Sequence, residues 1–130
     1  MLLIDDDRGI REMYATCLRS SGFEVVQAGS GESGLDYLLR EEHFDAVVTD
    51  VMMAKMDGWE LLATIREKLK RDELALPVIV ISAFDSAELE AKAFHRGANG
   101  YLIKPIRPIS RLVEMVRVHT GQARSKFHDP

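Results

Sequence analysis

The chain has 130 residues, of which 46% are hydrophobic and 29% charged, and this length and composition fit one globular domain. The net charge of −4 argues against a nucleic-acid-binding surface, and a single cysteine, Cys17, excludes an intramolecular disulfide. No apolar run approaches the ~20 residues that cross a bilayer, and no signal segment opens the chain, so we expect a cytoplasmic protein without a membrane partner.

Short runs rich in Val, Ile and Leu recur along the chain and predict strands. We place these strands at residues 1–5, 23–28, 44–49, 77–82 and 99–103. Their apolar residues do not alternate with polar ones, which is typical of a parallel sheet covered on both faces.

Amphipathic segments between these runs predict helices. The apolar positions are Ile10, Met13, Cys17 and Leu18 in the first helix, Leu35, Leu38 and Leu39 in the second, Leu61, Leu62, Ile65 and Leu69 in the third, and Ile109, Leu112, Val113 and Val116 in the last. Asp7, Ser30 and Asp57 are the expected N-caps. The fourth helix, about residues 86–96, has only Leu89 and Phe94 as large apolar residues, so we expect it to be anchored less firmly.

The alternation of strands and helices predicts the fold class, which is α/β. We expect a doubly wound (βα)5 sandwich of three layers, with a five-stranded parallel sheet and right-handed crossovers. Residues 1–119 form this domain, and residues 120–130, which are polar and aperiodic, form a tail or the start of a linker.

Polar side chains stand at the ends of four predicted strands. Asp5 and Asp6 stand at the end of the first strand, Asp50 at that of the third, Ser82 at that of the fourth and Lys104 at that of the fifth. The carboxyl ends of parallel strands form the crevice where ligands bind. Carboxylates suit a hard cation such as Mg²⁺, and an ammonium and a hydroxyl suit phosphoryl oxygens. Singly, each residue also fits a cap, a turn or a surface lysine, but their shared position favours one site.

The motifs around these residues resemble those of the response-regulator receiver domain, the phosphoacceptor part of two-component signalling. They are Leu-Leu-Ile-Asp-Asp-Asp at 2–7, Asp-Val-Met-Met-Ala-Lys-Met-Asp-Gly at 50–58, Val-Ile-Val-Ile-Ser-Ala at 78–83 and Gly-Ala-Asn-Gly-Tyr-Leu-Ile-Lys-Pro at 97–105. The resemblance covers about residues 1–119 and implies a flavodoxin-like sheet with strand order 2-1-3-4-5.

The resemblance also implies a role for each matching residue. Asp50 matches the phosphoacceptor, Asp6 a direct Mg²⁺ ligand, Asp5 an acid that helps through water, the Met52 backbone carbonyl a further metal ligand, Ser82 and Lys104 the partners of the phosphoryl group, and Tyr101 the switch aromatic. Mn²⁺ could substitute for Mg²⁺. Ala54 stands where this family often has proline, but no ligand is lost.

The resemblance implies a histidine kinase or a phosphotransfer protein as the phosphoryl donor. Phosphorylation would change the face made by the fourth helix, the fifth strand and the fifth helix, and a phosphorylation-dependent homodimer stays open. The output partner is unknown, and the domain is not expected to be an enzyme beyond its own phosphorylation and slow dephosphorylation. We also predict that Met52 and Phe84 crowd the phosphoryl group and slow its hydrolysis.

Two alternatives remain. A receiver could act as a protein interaction module without phosphorylation. An aspartate-nucleophile phosphohydrolase would use the Asp5-x-Asp7 spacing, but Gly9 stands where such enzymes usually have Thr or Val, and they generally need a larger core.

Overall fold

The structure, a computed structural model, describes residues 1–40 and 43–121, so most of the predicted tail lies outside the described residues. The strands are β1 (Leu2–Ile4), β2 (Val26–Ala28), β3 (Val47–Asp50), β4 (Val78–Ser82) and β5 (Gly100–Ile103). The helices are α1 (Arg8–Ser20), α2 (Gly31–Arg40), α3 (Gly58–Ala63, continued by a π-helical turn at Thr64–Lys68), α4 (Ala87–His95) and α5 (Ser110–Thr120).

The five strands form one parallel sheet in the order β2-β1-β3-β4-β5. The predicted α/β class, the strand order and the doubly wound arrangement are therefore confirmed. The strands are shorter than predicted, most of all β2, where Phe23 and Val25 are buried but stand before the paired residues. Their apolar side chains explain why a longer strand was predicted, but neither residue is paired with β1.

Each face of the sheet has its own core. One core packs α2, α3 and α4 against residues such as Ile4 and Val80. The other packs α1 and α5 against residues such as Leu3 and Ile79. Successive strand residues enter opposite cores because side chains alternate across a strand, so the sheet is the middle of three layers.

One residue in the predicted apolar stripe of α1, and one in that of α2, lies outside the core. Met13 and Leu39 are 55% and 61% exposed, so their placement in apolar stripes was wrong. In α1 the buried residues are Tyr14, Ala15 and Leu18, and in α2 Leu38 is buried. A helix turns about 100° per residue, so a shift of one position carries a side chain from the core toward solvent.

The predicted N-caps are present. The Asp7 and Asp57 carboxylates accept hydrogen bonds from the backbone N–H groups of Ile10 at 3.0 Å and Glu60 at 2.9 Å, and the Ser30 hydroxyl accepts one from Ser33 at 3.1 Å. These bonds satisfy N–H groups that have no partner inside the helix. They also fix where α1 and α3 leave the loops that follow β1 and β3.

Helix α4 is thinly packed, as its sequence predicted. Ala93 is its one fully buried residue, Leu89 is half-buried and Phe94 is 47% exposed. Little apolar surface therefore holds this helix on the sheet, which lowers the cost of displacing it.

Candidate functional site

The sheet order brings the predicted polar residues to one edge. Strands β1 and β3 are neighbours, and β4 and β5 follow on the same side. Asp5 follows β1 directly, Asp50 and Ser82 are the last residues of β3 and β4, and Lys104 follows β5. Asp5, Asp50 and Ser82 are all buried, at 1%, 6% and 1% exposure, which is unusual for such side chains and indicates a built site.

Lys104 joins the two buried carboxylates. Its Nζ donates to Oδ2 of Asp5 at 2.8 Å and to Oδ2 of Asp50 at 2.9 Å. The ammonium thereby balances much of the repulsion between the acids, which low-dielectric surroundings would otherwise make costly. The peptide bond between Lys104 and Pro105 is cis.

Burial and pairing act on the protonation of this group in opposite directions. Burial raises the pKa of the Asp50 carboxyl above its ordinary value, although the hydrogen bond and charge of Lys104 oppose this. Burial lowers the pKa of Lys104, but its hydrogen bonds to Asp5 and Asp50 outweigh burial, and the net pKa is raised. Lys104 therefore stays an ammonium ion at neutral pH.

Three carboxylates are close enough to share a cation. Asp5, Asp6 and Asp50 each offer an oxygen, and these oxygens lie within 4.8 Å of one another. Asp6 is exposed, so a cation held here would face solvent on one side. All-oxygen ligands with room for water are what Mg²⁺ and Mn²⁺ prefer, so the donor set fits the predicted metal.

Ser82 and Tyr101 meet at the backbone of Phe84. The Ser82 hydroxyl accepts from the Phe84 N–H at 3.1 Å, and the Tyr101 hydroxyl donates to the Phe84 carbonyl at 2.7 Å. The Tyr101 ring is 6% exposed and packs in the core that also contains Ala93 of α4. A displacement of Ser82 would thus act on Tyr101 through Phe84, and Tyr101 lies in the same core as Ala93 of α4.

Two site residues carry no signal that the sequence analysis used. The hydroxyl-bearing ring of Tyr14 is buried, and its pKa is raised, mainly by burial. The Arg11 guanidinium contacts the Asp5 backbone. Both lie on α1, and only the three-dimensional arrangement places them beside the cluster.

The β3–α3 loop folds back onto the candidate acceptor at Gly58. Its N–H donates to the Val51 carbonyl at 2.9 Å, and a Cβ placed on Gly58 would lie 2.5 Å from the Asp50 carbonyl oxygen and 2.8 Å from Cα of Val51. Both contacts are with backbone atoms, so a side chain there would have to displace the loop. The absence of a Cβ is therefore what allows this approach.

We expect Gly58→Ala to destabilise the protein by about 2 kcal/mol, in the range of small-to-large changes at packed positions. Equilibrium urea unfolding would measure the loss. Gly9→Ala is the matched control, because its Cβ would meet only Asp7 Oδ1 at 3.6 Å, an ordinary contact. Equal stability of the Gly58→Ala and Gly9→Ala proteins would contradict the role given to Gly58.

Within residues 1–40 and 43–121, no helix is long and apolar enough to cross a membrane.

The fold and the edge of the sheet together define an α/β domain with an acidic cluster and a lysine at the carboxyl ends of its strands. The family model of the response regulator receiver domain matches residues 1–117, and the chain belongs to this family. It is thus a receiver domain of two-component signalling, a class of domain that generally transmits signals rather than acting as a classical enzyme.

Relatives and solved structures agree with this assignment. The chain is 36% identical over 129 residues to the response regulator protein FleR of Pseudomonas aeruginosa, covering 99% of this chain and 26% of FleR. It is 34% identical over 118 residues to the two-component response regulator ORR11 of Oryza sativa subsp. indica, covering 89% of this chain and 79% of ORR11. The receiver domain of the Francisella response regulator 1452 superposes with a TM-score of 0.83 at 30% identity, covering 94% of this chain and 96% of that one.

Proposed function

We propose that Asp50 is the phosphoacceptor of this receiver domain. The observation that carries the proposal is the contact of Lys104 with both Asp5 and Asp50, beside the exposed carboxylate of Asp6. A buried acid paired with an ammonium and set among cation ligands is equipped to receive a phosphoryl group, whose negative charge would otherwise repel it.

In the proposed reaction, a carboxylate oxygen of Asp50 attacks phosphorus on a phosphohistidine. The new O–P bond forms as the P–N bond breaks, and the electron pair of the broken bond stays on the imidazole nitrogen of the donor. Lys104 neutralises charge on the transferred group, and Ser82 donates its hydroxyl to a phosphoryl oxygen. Asp5, Asp6, Asp50 and the Met52 carbonyl would hold Mg²⁺ or Mn²⁺, which would supply further charge neutralisation.

The second half of the proposal is a switch. When Ser82 turns its hydroxyl toward the phosphoryl group, its bond to the Phe84 N–H is lost, and the Phe84 carbonyl held by Tyr101 is free to move. The face formed by α4, β5 and α5 then has two conformations, and phosphorylation changes the balance between them. The small buried apolar surface of α4 keeps the cost of this change low. Tyr101 is the switch aromatic in this scheme.

The partners belong to the proposal as well. The donor is a histidine kinase or a phosphotransfer protein, the reaction takes place in the cytoplasm, and a second phosphorylated copy is a candidate partner of the α4–β5–α5 face. The chain spans about a quarter of the length of FleR, so the output is left to whichever domain or protein reads this face.

Intact mass spectrometry after incubation with acetyl phosphate tests the acceptor. We expect one labile phosphoryl adduct that requires Mg²⁺ and disappears when a chelator replaces the metal. Borohydride reduces an acyl phosphate to an alcohol, so peptide mapping should then find homoserine at position 50. An adduct elsewhere, or none with either acetyl phosphate or a phosphohistidine protein, would move the assignment to a module that works without phosphorylation.

Met52 and Phe84 should set the lifetime of the phosphorylated form. They follow Asp50 and Ser82 by two residues and are 60% and 50% exposed, and in this proposal they flank the acceptor at the mouth of the site. We expect a Met52→Asn, Phe84→Asn double variant to lose its adduct about tenfold faster, a change of about 1.4 kcal/mol in the barrier to attack by water.

The decay would be followed by intact mass after the donor is removed. A Leu74→Asn, Phe94→Asn double variant is the control, because it makes two other exposed apolar residues polar, at 93% and 47% exposure, away from the carboxyl ends of the strands. An unchanged decay rate in the Met52 and Phe84 variant would contradict the proposal that these residues slow hydrolysis.

A further inference from the structure

Arg11 contacts the backbone of the acidic cluster, although it has no role in the proposed reaction. Its Nη1 donates to the backbone carbonyl of Asp5 at 2.8 Å, and its Nε donates to Oε1 of Gln27 on β2 at 3.0 Å. Arg11 is half-buried, and its two hydrogen bonds connect α1 to β2 and to the residue that follows β1 at the carboxyl edge of the sheet.

The Asp5 carbonyl needs such a donor because the sheet ends beneath it. The last residue of β1 paired with β2 is Ile4, opposite Ala28, and the last paired with β3 is also Ile4, opposite Thr49. Past this point the chain turns into α1, and a carbonyl that leaves the ladder must find another partner when it is shielded from water. Arg11, at the end of the first turn of α1, supplies that partner.

Each polar group of Asp5 therefore has a hydrogen-bond partner. Its N–H donates to the Ala28 carbonyl at 3.2 Å, Oδ1 accepts from the Asp7 N–H at 2.9 Å, and Oδ2 accepts from Lys104. Arg11 fixes the remaining group, the carbonyl, and this carbonyl belongs to the peptide unit that leads to Asp6. The orientation of that peptide unit sets where the Asp6 backbone, which carries the exposed carboxylate, lies.

We propose that Arg11 is a positioning residue for the divalent-cation site, holding the β1–α1 turn so that Asp5 and Asp6 present their oxygens beside Asp50. This inference rests on the metal site of the proposed function and adds a residue that acts on it through the backbone. The charge of the guanidinium alone would have the opposite effect, since a cation near the carboxylates repels Mg²⁺.

Isothermal titration calorimetry with MgCl₂ on the full chain tests the proposal without any phosphoryl transfer. We expect Arg11→Gln to weaken Mg²⁺ binding about tenfold or more, as outer partners of metal ligands commonly do, and we expect the control to change it no more than about twofold. The control is Arg19→Gln, which removes a similar bond from α1 to a backbone carbonyl, the 2.9 Å contact of Nη2 with Val25, at the opposite end of the helix.

The outcomes separate this inference from the proposed function. Wild-type protein that binds no Mg²⁺ would overturn the metal site itself, and the positioning role with it. Wild-type binding that is kept or strengthened in Arg11→Gln, or an equal loss in Arg19→Gln, would overturn the positioning role alone. Should Arg11→Gln fail to fold in a thermal melt, Gln27→Leu takes its place, because it removes the second anchor of the guanidinium and should weaken Mg²⁺ binding in the same direction.

Discussion

An Asp50→Asn variant should form no phosphoryl adduct under conditions in which the wild-type protein is fully labelled. The amide has no nucleophilic carboxylate oxygen, and no other carboxylate in the cluster has the same position. Asp5 gives its two oxygens to the Asp7 N–H and to Lys104, and Asp6 is exposed at the rim. Intact mass after treatment with acetyl phosphate and Mg²⁺ would measure the loss.

The same variant should be more stable than the wild type at neutral pH. Burial raises the pKa of the Asp50 carboxyl, so the folded protein binds this proton more tightly than the unfolded chain does. Stability therefore falls as pH rises from the ordinary value of the carboxyl toward its raised pKa, and the penalty is complete above that window. Asn carries no such penalty, so its advantage should be largest at neutral pH, shrink as pH falls through the raised pKa, and be lost below the ordinary value.

Urea unfolding at neutral and acidic pH in the presence of a chelator would measure this difference. Asp36→Asn is a suitable control, because Asp36 is an exposed acid on α2. An Asp50→Asn protein less stable than the wild type at neutral pH would show that the ion pair with Lys104 outweighs the burial of the carboxylate. A residual adduct on this variant would show that a second residue accepts phosphoryl groups.

The positions of the site residues could be predicted because parallel strands point the same way. Once Asp5, Asp50, Ser82 and Lys104 were each placed after an apolar run, the topology of the sheet required their convergence. The contacts among them could not be predicted. That Lys104 bridges Asp5 and Asp50, rather than extending into solvent, depends on the loop after β5 and on burial, which no local pattern encodes.

The errors in the fold have a different origin. Met13 was placed in the core and Tyr14 was passed over, because methionine fits an apolar stripe at helical spacing, whereas tyrosine carries a polar group and breaks it. Arg11 was not singled out by the sequence analysis either. Long amphipathic side chains can reach buried groups from the border of a helix face, and only the packing of α1 against the sheet decides whether they do.

The glycines of the loops show a similar limit. Gly58 follows an acid in a turn before a helix, which is an ordinary place for glycine, and its sequence context does not show that the Asp50 backbone lies 2.5 Å from where a Cβ would stand. Close approach between segments is a property of the assembled loops. Local sequence therefore predicted where α3 begins, at the Asp57 cap, but not why this residue must lack a side chain.

Replacing Lys104 with Met should destabilise the protein by about 3 kcal/mol in the absence of divalent cations, the range found when one partner of a buried ion pair is removed. The pair is well shielded, since the side chains of Lys104, Asp5 and Asp50 are 15%, 2% and 8% exposed. Without the ammonium, two carboxylates face each other at the edge of the core, and one must take up a proton or accept water.

This loss should depend on pH and on metal in directions that the structure fixes. Hydrogen bonds to both acids raise the pKa of Lys104 despite its burial, so its contribution is fully present below the ordinary lysine value and is lost only as pH rises through the raised one. The wild-type advantage should hold across neutral pH and fade in strong alkali. Saturating Mg²⁺ should restore part of the stability of Lys104→Met, because a cation bound only to the folded state favours that state.

A double-mutant cycle separates the pair from the lysine itself. In an Asp50→Asn background, Lys104→Met should cost clearly less than in the wild type, because only the contact with Asp5 is then lost. Lys68→Met, which changes an exposed lysine on the π-helical turn, serves as the control for the substitution. Equal urea midpoints for Lys104→Met and Lys68→Met would show that the carboxylates tolerate each other without the ammonium. Lys104 would then retain only its proposed part in handling the phosphoryl group.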